Sequence, residues 1–156
     1  MTTSNLEIVE GDLLSSKEKY IVHQCNCISK GAKGLAKAIY DKYPYADAYK
    51  IQPRKDTPGT IKIAGNGKNQ RFIINLFGQY KPGKPRPGSS DSVESRLQFF
   101  KEGLSKILEI PNLESIAFPF NIGCGLAGGD WNSYYAAIEE FATHTTAIVK
   151  IYKLSP

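Results

Sequence analysis

Residues 115–131 read Ser-Ile-Ala-Phe-Pro-Phe-Asn-Ile-Gly-Cys-Gly-Leu-Ala-Gly-Gly-Asp-Trp. The apolar first part predicts a β-strand, four glycines within seven residues predict a loop, and Asp130 and Trp131 open a helical pattern. A glycine loop has little side-chain cover, so its backbone N–H groups can turn toward one point, and the helix behind it adds the positive end of its dipole. This strand, loop and helix predict a phosphate-binding site.

This loop has two other interpretations. Residues 123–128 match G-x-G-x-x-G, but a dinucleotide-binding fold also needs an acidic residue about 20 positions on and further βαβ units. Only one more strand is predicted, and Glu139 and Glu140 fall within a helical pattern. A phosphate-binding loop in another α/β fold is therefore favoured, and a purely structural glycine turn is the second alternative.

Hydrophobic periodicity predicts an alternation of strands and helices along the chain. Strands are predicted at 6–9, 19–25, 60–64, 72–77, 115–120 and 147–154, and helices at 35–42, 92–108 and 131–143. The strands at 60–64 and 72–77 predict an antiparallel hairpin. We therefore expect one α/β domain over residues 1–156, with a mixed sheet covered by helices on both faces. Ligands of such sheets bind beyond the carboxyl ends of strands, where both flexible loops, at 26–34 and 121–129, lie.

The local sequence predicts the start of one helix and a loop before it. Asp91 or Ser92 is predicted to cap the helix after residue 92, with Glu94 reaching back, and an apolar face that includes Val93 is predicted to be buried. The segment 80–90 holds three prolines and two glycines, which predicts a mobile surface loop that could act as a lid.

Composition limits the class of protein. At 156 residues and 41% hydrophobic content the chain suits one globular domain, and no apolar run approaches the length of a membrane span. Residues 1–5 lack the pattern of a signal peptide, so we expect a cytoplasmic protein, with the nucleus as a second location. Three cysteines fit neither a disulfide framework nor a zinc site. We expect a monomer without metal or cofactor.

The net charge of +5 is unevenly distributed. Residues 1–90 hold 15 Lys and Arg against 7 Asp and Glu, whereas residues 91–156 hold 5 against 8. The basic half could attract a polyanion such as RNA or steer a small phosphorylated ligand. No dense basic stripe or RNA-binding aromatic signature is present, so nucleic acid is the minority interpretation and solvated surface the default one.

Four separated motifs resemble those of the macro domain, the ADP-ribose-binding α/β/α module. They are Val9-Glu10-Gly11-Asp12-Leu13, Ile21-Val22-His23-Gln24-Cys25-Asn26, the loop at 31–36, and Phe118-Pro119 followed by Gly123-Cys124-Gly125-Leu126. The resemblance covers nearly the whole chain. It implies a three-layer α/β/α sandwich in which Asp12 accepts from the adenine amino group and Asn26 meets the distal ribose.

Within that family, the residues around His23 and the loop followed by Trp131 look closest to phosphatases acting on ADP-ribose 1″-phosphate. The resemblance therefore implies binding of ADP-ribose or a derivative and hydrolysis of this terminal phosphate. Two alternatives stay open: a hydrolase that removes ADP-ribose from protein or nucleic acid, and a non-catalytic binding module. Ala127 occupies the place where those hydrolases carry an acid, and Lys81 matches their lysine only approximately.

The resemblance assigns roles residue by residue. His23, Asn26 and Asp130 are the predicted catalytic residues, although His23 could equally be a hydrogen-bonded core residue. For Asp130 a helix cap is the favoured interpretation and catalysis the secondary one. Tyr152 could pack along adenine or lie in the core. Cys27 is a minor candidate nucleophile. The predicted ligand-binding residues are Asp12, Leu13, Asn26, Lys33, Gly34, Leu35, Asn121, Gly123, Cys124 (through its backbone N–H), Gly125, Leu126, Ala127 and Tyr152.

Overall fold

The computed structural model describes residues 5–155, which form a six-stranded sheet and three α-helices. The strands are β1 (Leu6–Glu10), β2 (Tyr20–Cys25), β3 (Ile61–Ala64), β4 (Phe72–Phe77), β5 (Ser115–Pro119) and β6 (Ile148–Lys153). The helices are α1 (Gly34–Lys42), α2 (Val93–Ile107) and α3 (Trp131–Thr143). Residues 1–4, which belong to the segment where no signal peptide is expected, lie outside the described residues.

The sheet has the order β1-β6-β5-β2-β4-β3 and is mixed. All neighbouring strands pair in parallel except β3, which is antiparallel to β4 and confirms the predicted hairpin. The β2–β4 register sets Ile21 beside Ile73 and His23 beside Asn75. Because the five parallel strands run the same way, their carboxyl ends meet at one edge of the sheet, and the loops that follow β2, β4 and β5 meet there too.

Two apolar clusters cover the two faces of the sheet. Alternate residues of β2 point to opposite faces, so that Ile21 packs with α1 and Val22 packs with α2 and α3. Both side chains are fully buried, as expected for a strand inside a covered parallel sheet. The predicted three-layer α/β/α sandwich with a mixed central sheet is confirmed.

The start of α2 confirms Ser92, one of the two predicted caps, but not the predicted buried face. Ser92 is the N-cap and its side chain accepts from the N–H of Ser95, whereas Asp91 is buried in an ion pair. Val93 is 42% exposed, so its predicted burial was wrong. The buried stripe of this helix begins at Arg96 and continues through Phe100.

Shorter elements complete the chain. Two single 3-10 turns follow α1, at Pro44–Ala46 and Ala48–Lys50. A further 3-10 turn covers Gly125–Ala127 in the glycine loop. Within residues 5–155, no helix is long and apolar enough to cross a membrane.

Candidate functional site

A cleft lies at the edge of the sheet where β2, β4 and β5 end. Two adjoining cavities, of about 320 and 290 Å³, share Gln24, Leu35, Gln79 and Ala127 and so form one continuous depression. The cleft contacts both glycine loops, as predicted. A larger cavity of about 670 Å³ lies between α2 and α3, but neither loop reaches it. The other residues that line the cleft are Asn26, Ser29, Gly31, Lys33, Ala36, Tyr49, Pro82, Gly83, Pro119, Phe120, Asn121, Ile122, Gly123, Cys124 and Leu126.

Asn26 closes the turn that follows β2. Its Oδ1 accepts from the N–H groups of Ile28 (3.1 Å) and Ser29 (2.9 Å), and its own N–H donates to the hydroxyl of Tyr49 (2.9 Å). Arg54 stabilises the same turn, because its Nη2 donates to the Asn26 carbonyl at 2.7 Å. Because the side-chain oxygen is engaged in the turn, the Nδ2 amide is the group that Asn26 can offer to a ligand.

The first loop brings the amino end of α1 to the cleft. Gly34 starts this helix with a φ of 59°, a conformation that glycine adopts without strain. Lys33 is the N-cap and makes no side-chain capping bond, so the first N–H groups of the helix keep no partner inside it. The positive helix end and the Lys33 ammonium therefore favour an anion at this wall of the cleft.

The second loop, at 121–129, follows β5 and forms hydrogen bonds within itself. Asn121 and Gly123 have φ values of 70° and 76°. The N–H of Cys124 donates to the Asn121 carbonyl at 2.9 Å, and that of Gly129 donates to Gly123 at 3.0 Å. The N–H of Cys124, which was predicted to contact a ligand, is therefore engaged with Asn121 within the loop. The first N–H groups of the 3-10 turn that starts at Gly125 have no partner within the turn itself and can face a ligand.

Tyr134 of α3 supports this loop from behind. A β-carbon at Gly123 would lie 2.2 Å from the Tyr134 ring, and one at Gly129 would lie 2.5 Å from it. The ring is 1% exposed and packs against Phe100. Both glycines are therefore required for close packing, whereas a β-carbon at Gly125 would meet nothing within 4 Å.

Arg96 connects the 80–90 segment to the glycine loop at 121–129 through hydrogen bonds. Its guanidinium is 1% exposed and pairs with Asp91, with Nη2 to Oδ2 at 2.8 Å and Nε to Oδ1 at 3.1 Å. Its Nη1 donates to the carbonyls of Gly83 (2.7 Å) and Ala127 (3.0 Å). The start of the 80–90 segment is thereby anchored, which argues against the predicted mobile lid. The sequence did not single out Arg96, because an arginine within an amphipathic helix is typical of a solvated face.

A chain of two amides lies on the floor of the cleft. The Nε2 of Gln79 donates to the Lys81 carbonyl at 2.8 Å. Because a carbonyl can only accept, this bond fixes the orientation of the Gln79 amide, and the Oε1 of Gln79 faces Gln24. Gln24 donates to that oxygen at 2.8 Å. Its own Oε1 is buried and has no hydrogen-bond partner within residues 5–155. Neither glutamine was predicted, and the only available signal was their position at the ends of two neighbouring strands.

His23 lies in the core and not in the cleft. Asn75 donates its Nδ2 to the carbonyls of Ala46 (3.1 Å) and Lys62 (3.3 Å), so its Oδ1 faces the imidazole. The Nε2 of His23 therefore carries the proton and donates to Oδ1 at 2.7 Å. The ring is 1% exposed and packs edge-on against Tyr40 of α1. Burial lowers the pKa of His23 to about 4, although the hydrogen bond with Asn75 opposes the shift.

This placement bears on the predicted catalytic role of His23. A general acid or base must come within hydrogen-bond reach of the reacting group, directly or through one water. The imidazole points toward α1, whereas the next residue, Gln24, points into the cleft. The geometry corresponds to the alternative of a hydrogen-bonded core histidine and places His23 out of reach of a ligand in the cleft.

Other predicted residues lie outside the cleft lining. Asp130 caps α3, with Oδ2 accepting from the N–H (3.2 Å) and the hydroxyl (2.9 Å) of Ser133. Asp12 caps a 3-10 turn and accepts from the N–H of Leu14 at 3.0 Å, while Leu13 is buried. Gly34 and Gly125 line neither cavity themselves but adjoin residues that do.

Tyr152 of β6 is partly buried beside Gly11. Its hydroxyl donates to Glu18 Oε1 at 2.5 Å, and a β-carbon on Gly11 would lie 3.4 Å from its ring. The side chain does not line the cleft. Asp12, Leu13 and Tyr152 therefore form a separate group at the β1 and β6 side of the same edge of the sheet.

The lining of the cleft holds no carboxylate and no imidazole among the described residues. Its titratable side chains are those of Lys33, Tyr49 and Cys124. Burial raises the pKa of Cys124 to about 11, with a further contribution from Asp130, so the group is a thiol at neutral pH. Within residues 5–155, no cluster of three or more His, Cys, Asp or Glu could hold a metal ion. The cleft is thus suited to holding anions.

Sequence comparison identifies the family. Residues 22–138 match the Macro domain family. This chain belongs to the macro domain family. The matched range runs from β2 into α3 and includes both loops of the cleft, which confirms the resemblance described above.

Solved macro domains share the fold over nearly the whole chain. The macrodomain of Mycobacterium tuberculosis DarG superimposes with a TM-score of 0.74 at 24% identity, covering 96% of this chain and 98% of that one. Thermosipho africanus DarTG in complex with ADP-ribose gives a TM-score of 0.68 at 23% identity over 97% of this chain and 42% of that one. At these identities the likeness concerns the fold alone.

Curated relatives are matched over smaller parts of their length. The polyprotein P1234 of Venezuelan equine encephalitis virus is 25% identical over 150 residues, which are 93% of this chain and 6% of the polyprotein. ADP-ribose 1″-phosphate phosphatases of Neosartorya fischeri and Aspergillus fumigatus are 44% identical over 46 residues, or 29% of this chain and 23% of each enzyme.

Proposed function

We propose that the cleft of this macro domain binds ADP-ribose or a phosphorylated derivative of it. The observation that carries the proposal is the meeting of two helical amino ends, those of α1 and of the turn at Gly125, in a cleft without any lining carboxylate. Both ends offer N–H donors, and Lys33 adds a positive charge. The shared fold with a macrodomain protein solved in complex with ADP-ribose supports the choice of ligand.

The cleft suggests how such a ligand lies. The diphosphate meets the N–H groups at the start of α1 and of the turn at Gly125, where partial positive charge is concentrated. The distal ribose accepts from the Nδ2 amide of Asn26. The adenine extends toward Asp12, whose second carboxylate oxygen is not used by the bond to Leu14.

Calorimetry with ADP-ribose tests the proposal, and the expected micromolar affinity corresponds to about −8 kcal/mol. Asn26→Asp preserves the oxygen that closes the turn but replaces the amide donor with a negative charge, so it should abolish detectable binding of an anionic ligand. Asn132→Asp, at an exposed position of α3, adds the same charge away from the cleft and should bind like wild type. Absence of binding to wild type at millimolar ADP-ribose would refute the proposal.

A second candidate is hydrolysis of the terminal phosphate of ADP-ribose 1″-phosphate. The 46-residue match at 44% identity to two phosphatases with this substrate favours it. Because no carboxylate or imidazole of residues 5–155 lines the cleft, the protein would act by holding the ester and stabilising its charge with preorganised donors, while water attacks phosphorus. Loss of the acid at Ala127 disfavours the third candidate, cleavage of a glycosidic bond.

Phosphate release distinguishes the enzyme from a binding module. Wild type, Asn26→Asp and His23→Gln are incubated with ADP-ribose 1″-phosphate, in parallel with ADP-ribosylated glutamate and ADP-ribosylated DNA. An enzyme releases phosphate, loses this activity in Asn26→Asp and keeps it in His23→Gln. A binding module leaves all three compounds intact, while ADP-ribose 1″-phosphate still competes with ADP-ribose for the cleft.

A further inference from the structure

A second concave site lies at the opposite edge of the sheet from the cleft. It is a cavity of about 590 Å³ at the amino ends of β2 and β4 and the carboxyl end of α1. Five cationic side chains and one acidic one line this basic groove. Its charged residues are Lys17, Glu18, Lys19, Lys42, Lys68 and Arg71.

The one acid of the basic groove is already engaged. Glu18 accepts from the hydroxyl of Tyr152 at 2.5 Å and lies 4.0 Å from Lys150, two residues of β6 that do not line the groove, and its side chain is 10% exposed. Of the cations, only Lys19 has a carboxylate partner, Glu114 at 2.9 Å. Within residues 5–155, the other four form no ion pair with a carboxylate at 4.0 Å or less.

Arg71 forms a fixed part of the groove. Its Nε and Nη2 both donate to the Glu18 carbonyl (3.0 and 2.5 Å), its Nη2 also donates to Ser16 Oγ (3.1 Å), and its Nη1 donates to the hydroxyl of Tyr43 (3.3 Å). These neutral partners orient the planar guanidinium without neutralising it. One Nη1 N–H and the positive charge of the guanidinium are left for a phosphate.

Aromatic rings form another wall of the groove. Tyr43 and Tyr45 lie with ring centroids 6.1 Å apart, and Tyr45 is 37% exposed. The hydroxyl of Tyr45 donates to the backbone carbonyl of Arg71 at 2.6 Å, and both residues line the groove. An exposed aromatic ring next to phosphate-binding cations is the combination that single-stranded nucleic acids require, since their bases stack on such rings.

We propose that the basic groove is a second binding site, for single-stranded nucleic acid, separate from the ADP-ribose cleft. Phosphates contact Arg71, Lys17, Lys42 and Lys68, and a base stacks on Tyr45. An acidic peptide would satisfy the cations but would make no use of the exposed ring. The site goes beyond the proposed function, because it lies at the other edge of the sheet and shares no lining residue with the cleft.

Salt dependence provides the first test. Binding of a fluorescent single-stranded oligonucleotide of about 12 nucleotides is measured by anisotropy. With four phosphate contacts, log K should fall against log salt with a slope of about −2.8, or about 50-fold from about 50 to about 200 mM. The double variant Lys17→Gln with Lys68→Gln should halve this slope.

A matched control has the same net charge. Lys101→Gln with Lys106→Gln removes two exposed lysines of α2, away from the groove, and should leave the slope unchanged. Equal losses in both double variants would overturn the proposal in favour of a diffuse positive field. Displacement of the oligonucleotide by saturating ADP-ribose would also overturn it, because the cleft would then be the site.

The ring of Tyr45 provides the second test. Tyr45→Leu should weaken oligonucleotide binding about 5-fold or more while leaving inorganic polyphosphate binding unchanged, because only the oligonucleotide has bases to stack. Tyr45→Phe keeps the ring and should behave like wild type. Poly-glutamate binding as tight as the oligonucleotide, with no effect of Tyr45→Leu, would overturn the proposal and indicate a surface for acidic proteins. Absence of oligonucleotide binding at low salt would refute it outright.

Discussion

Arg96 and Asp91 form a buried bidentate ion pair, with side chains 1% and 7% exposed, at the junction of the two rims of the cleft. Asp91 also accepts from the N–H groups of Tyr80 (2.9 Å) and Lys81 (3.0 Å). Burial alone would raise the pKa of Asp91, but the hydrogen bonds from Arg96 and these N–H groups outweigh it and lower the pKa below its usual value. The pair therefore holds the 80–90 segment against α2.

Arg96→Lys should weaken ADP-ribose binding although it keeps the charge. Lysine can pair with Asp91 but cannot also reach the carbonyls of Gly83 and Ala127 in the fork geometry of a guanidinium. We expect a loss of about 1–3 kcal/mol in the free energy of unfolding, and about 3–5 kcal/mol for Arg96→Ala, which leaves Asp91 buried without its partner. Urea unfolding and calorimetry check both quantities.

Arg86→Lys is the matched control for this substitution, because Arg86 is exposed in the same segment. It should leave stability and affinity at wild-type values. An Arg96→Lys variant that binds ADP-ribose as wild type does would show that the anchored segment has no part in forming the cleft.

Gly123→Ala should be far more damaging than Gly125→Ala. Both residues have positive φ, 76° and 67°, so each alanine carries a backbone cost of about 1–2 kcal/mol. Only the β-carbon at position 123 also meets the Tyr134 ring, at 2.2 Å. Thermal unfolding of the two variants separates the cost of packing from the cost of the backbone conformation, and equal destabilisation would contradict the role given to Tyr134.

The pattern of apolar residues was sufficient to predict the layers of the fold. Strands such as β2 and β4 are mostly apolar, and α3 was predicted at its observed bounds, because burial of a strand or of a helix face imposes a hydrophobic pattern on the sequence. The same reasoning failed at Val93. What a helix packs against decides which face is buried, and in α2 the buried stripe starts at a charged residue, Arg96, that hydropathy assigns to solvent.

The candidate site was only partly predictable for a related reason. The glycine loops and Asn26 lie next in sequence to strand ends, so their meeting follows from the parallel sheet. The contacts of Gln24 with Gln79 and of Arg96 with Ala127 join residues 55 and 31 positions apart. Such pairings depend on the register of neighbouring strands and on helix packing, which a local pattern does not contain.

All three cysteines should be unreactive in the folded protein. Burial raises the pKa of Cys25 and Cys27 to about 12 and that of Cys124 to about 11, so almost no thiolate is present near neutral pH. Iodoacetamide should modify them much more slowly than it modifies glutathione, and at the rate of ordinary thiols once the chain is unfolded in urea. Rapid modification of Cys27 in the native protein would restore it as a candidate nucleophile.

His23 should make stability depend on pH between about 4 and 6.5. Its pKa is about 4 in the folded protein and 6.5 in an unperturbed histidine, so the unfolded chain binds more protons within this range. Stability is therefore greatest above pH 6.5 and falls as the pH is lowered, by about 2 kcal/mol from pH 7 to pH 5 through this residue alone.

Urea unfolding at a series of pH values measures this dependence. His23→Gln retains a side-chain donor for Asn75 but does not titrate, so it should lose this part of the slope even if its stability at neutral pH is lower. His144→Gln removes the exposed histidine and should keep the full slope. If His23→Gln and wild type show parallel pH profiles, the imidazole is not held neutral in the core, and its exclusion from the chemistry of the cleft must be withdrawn.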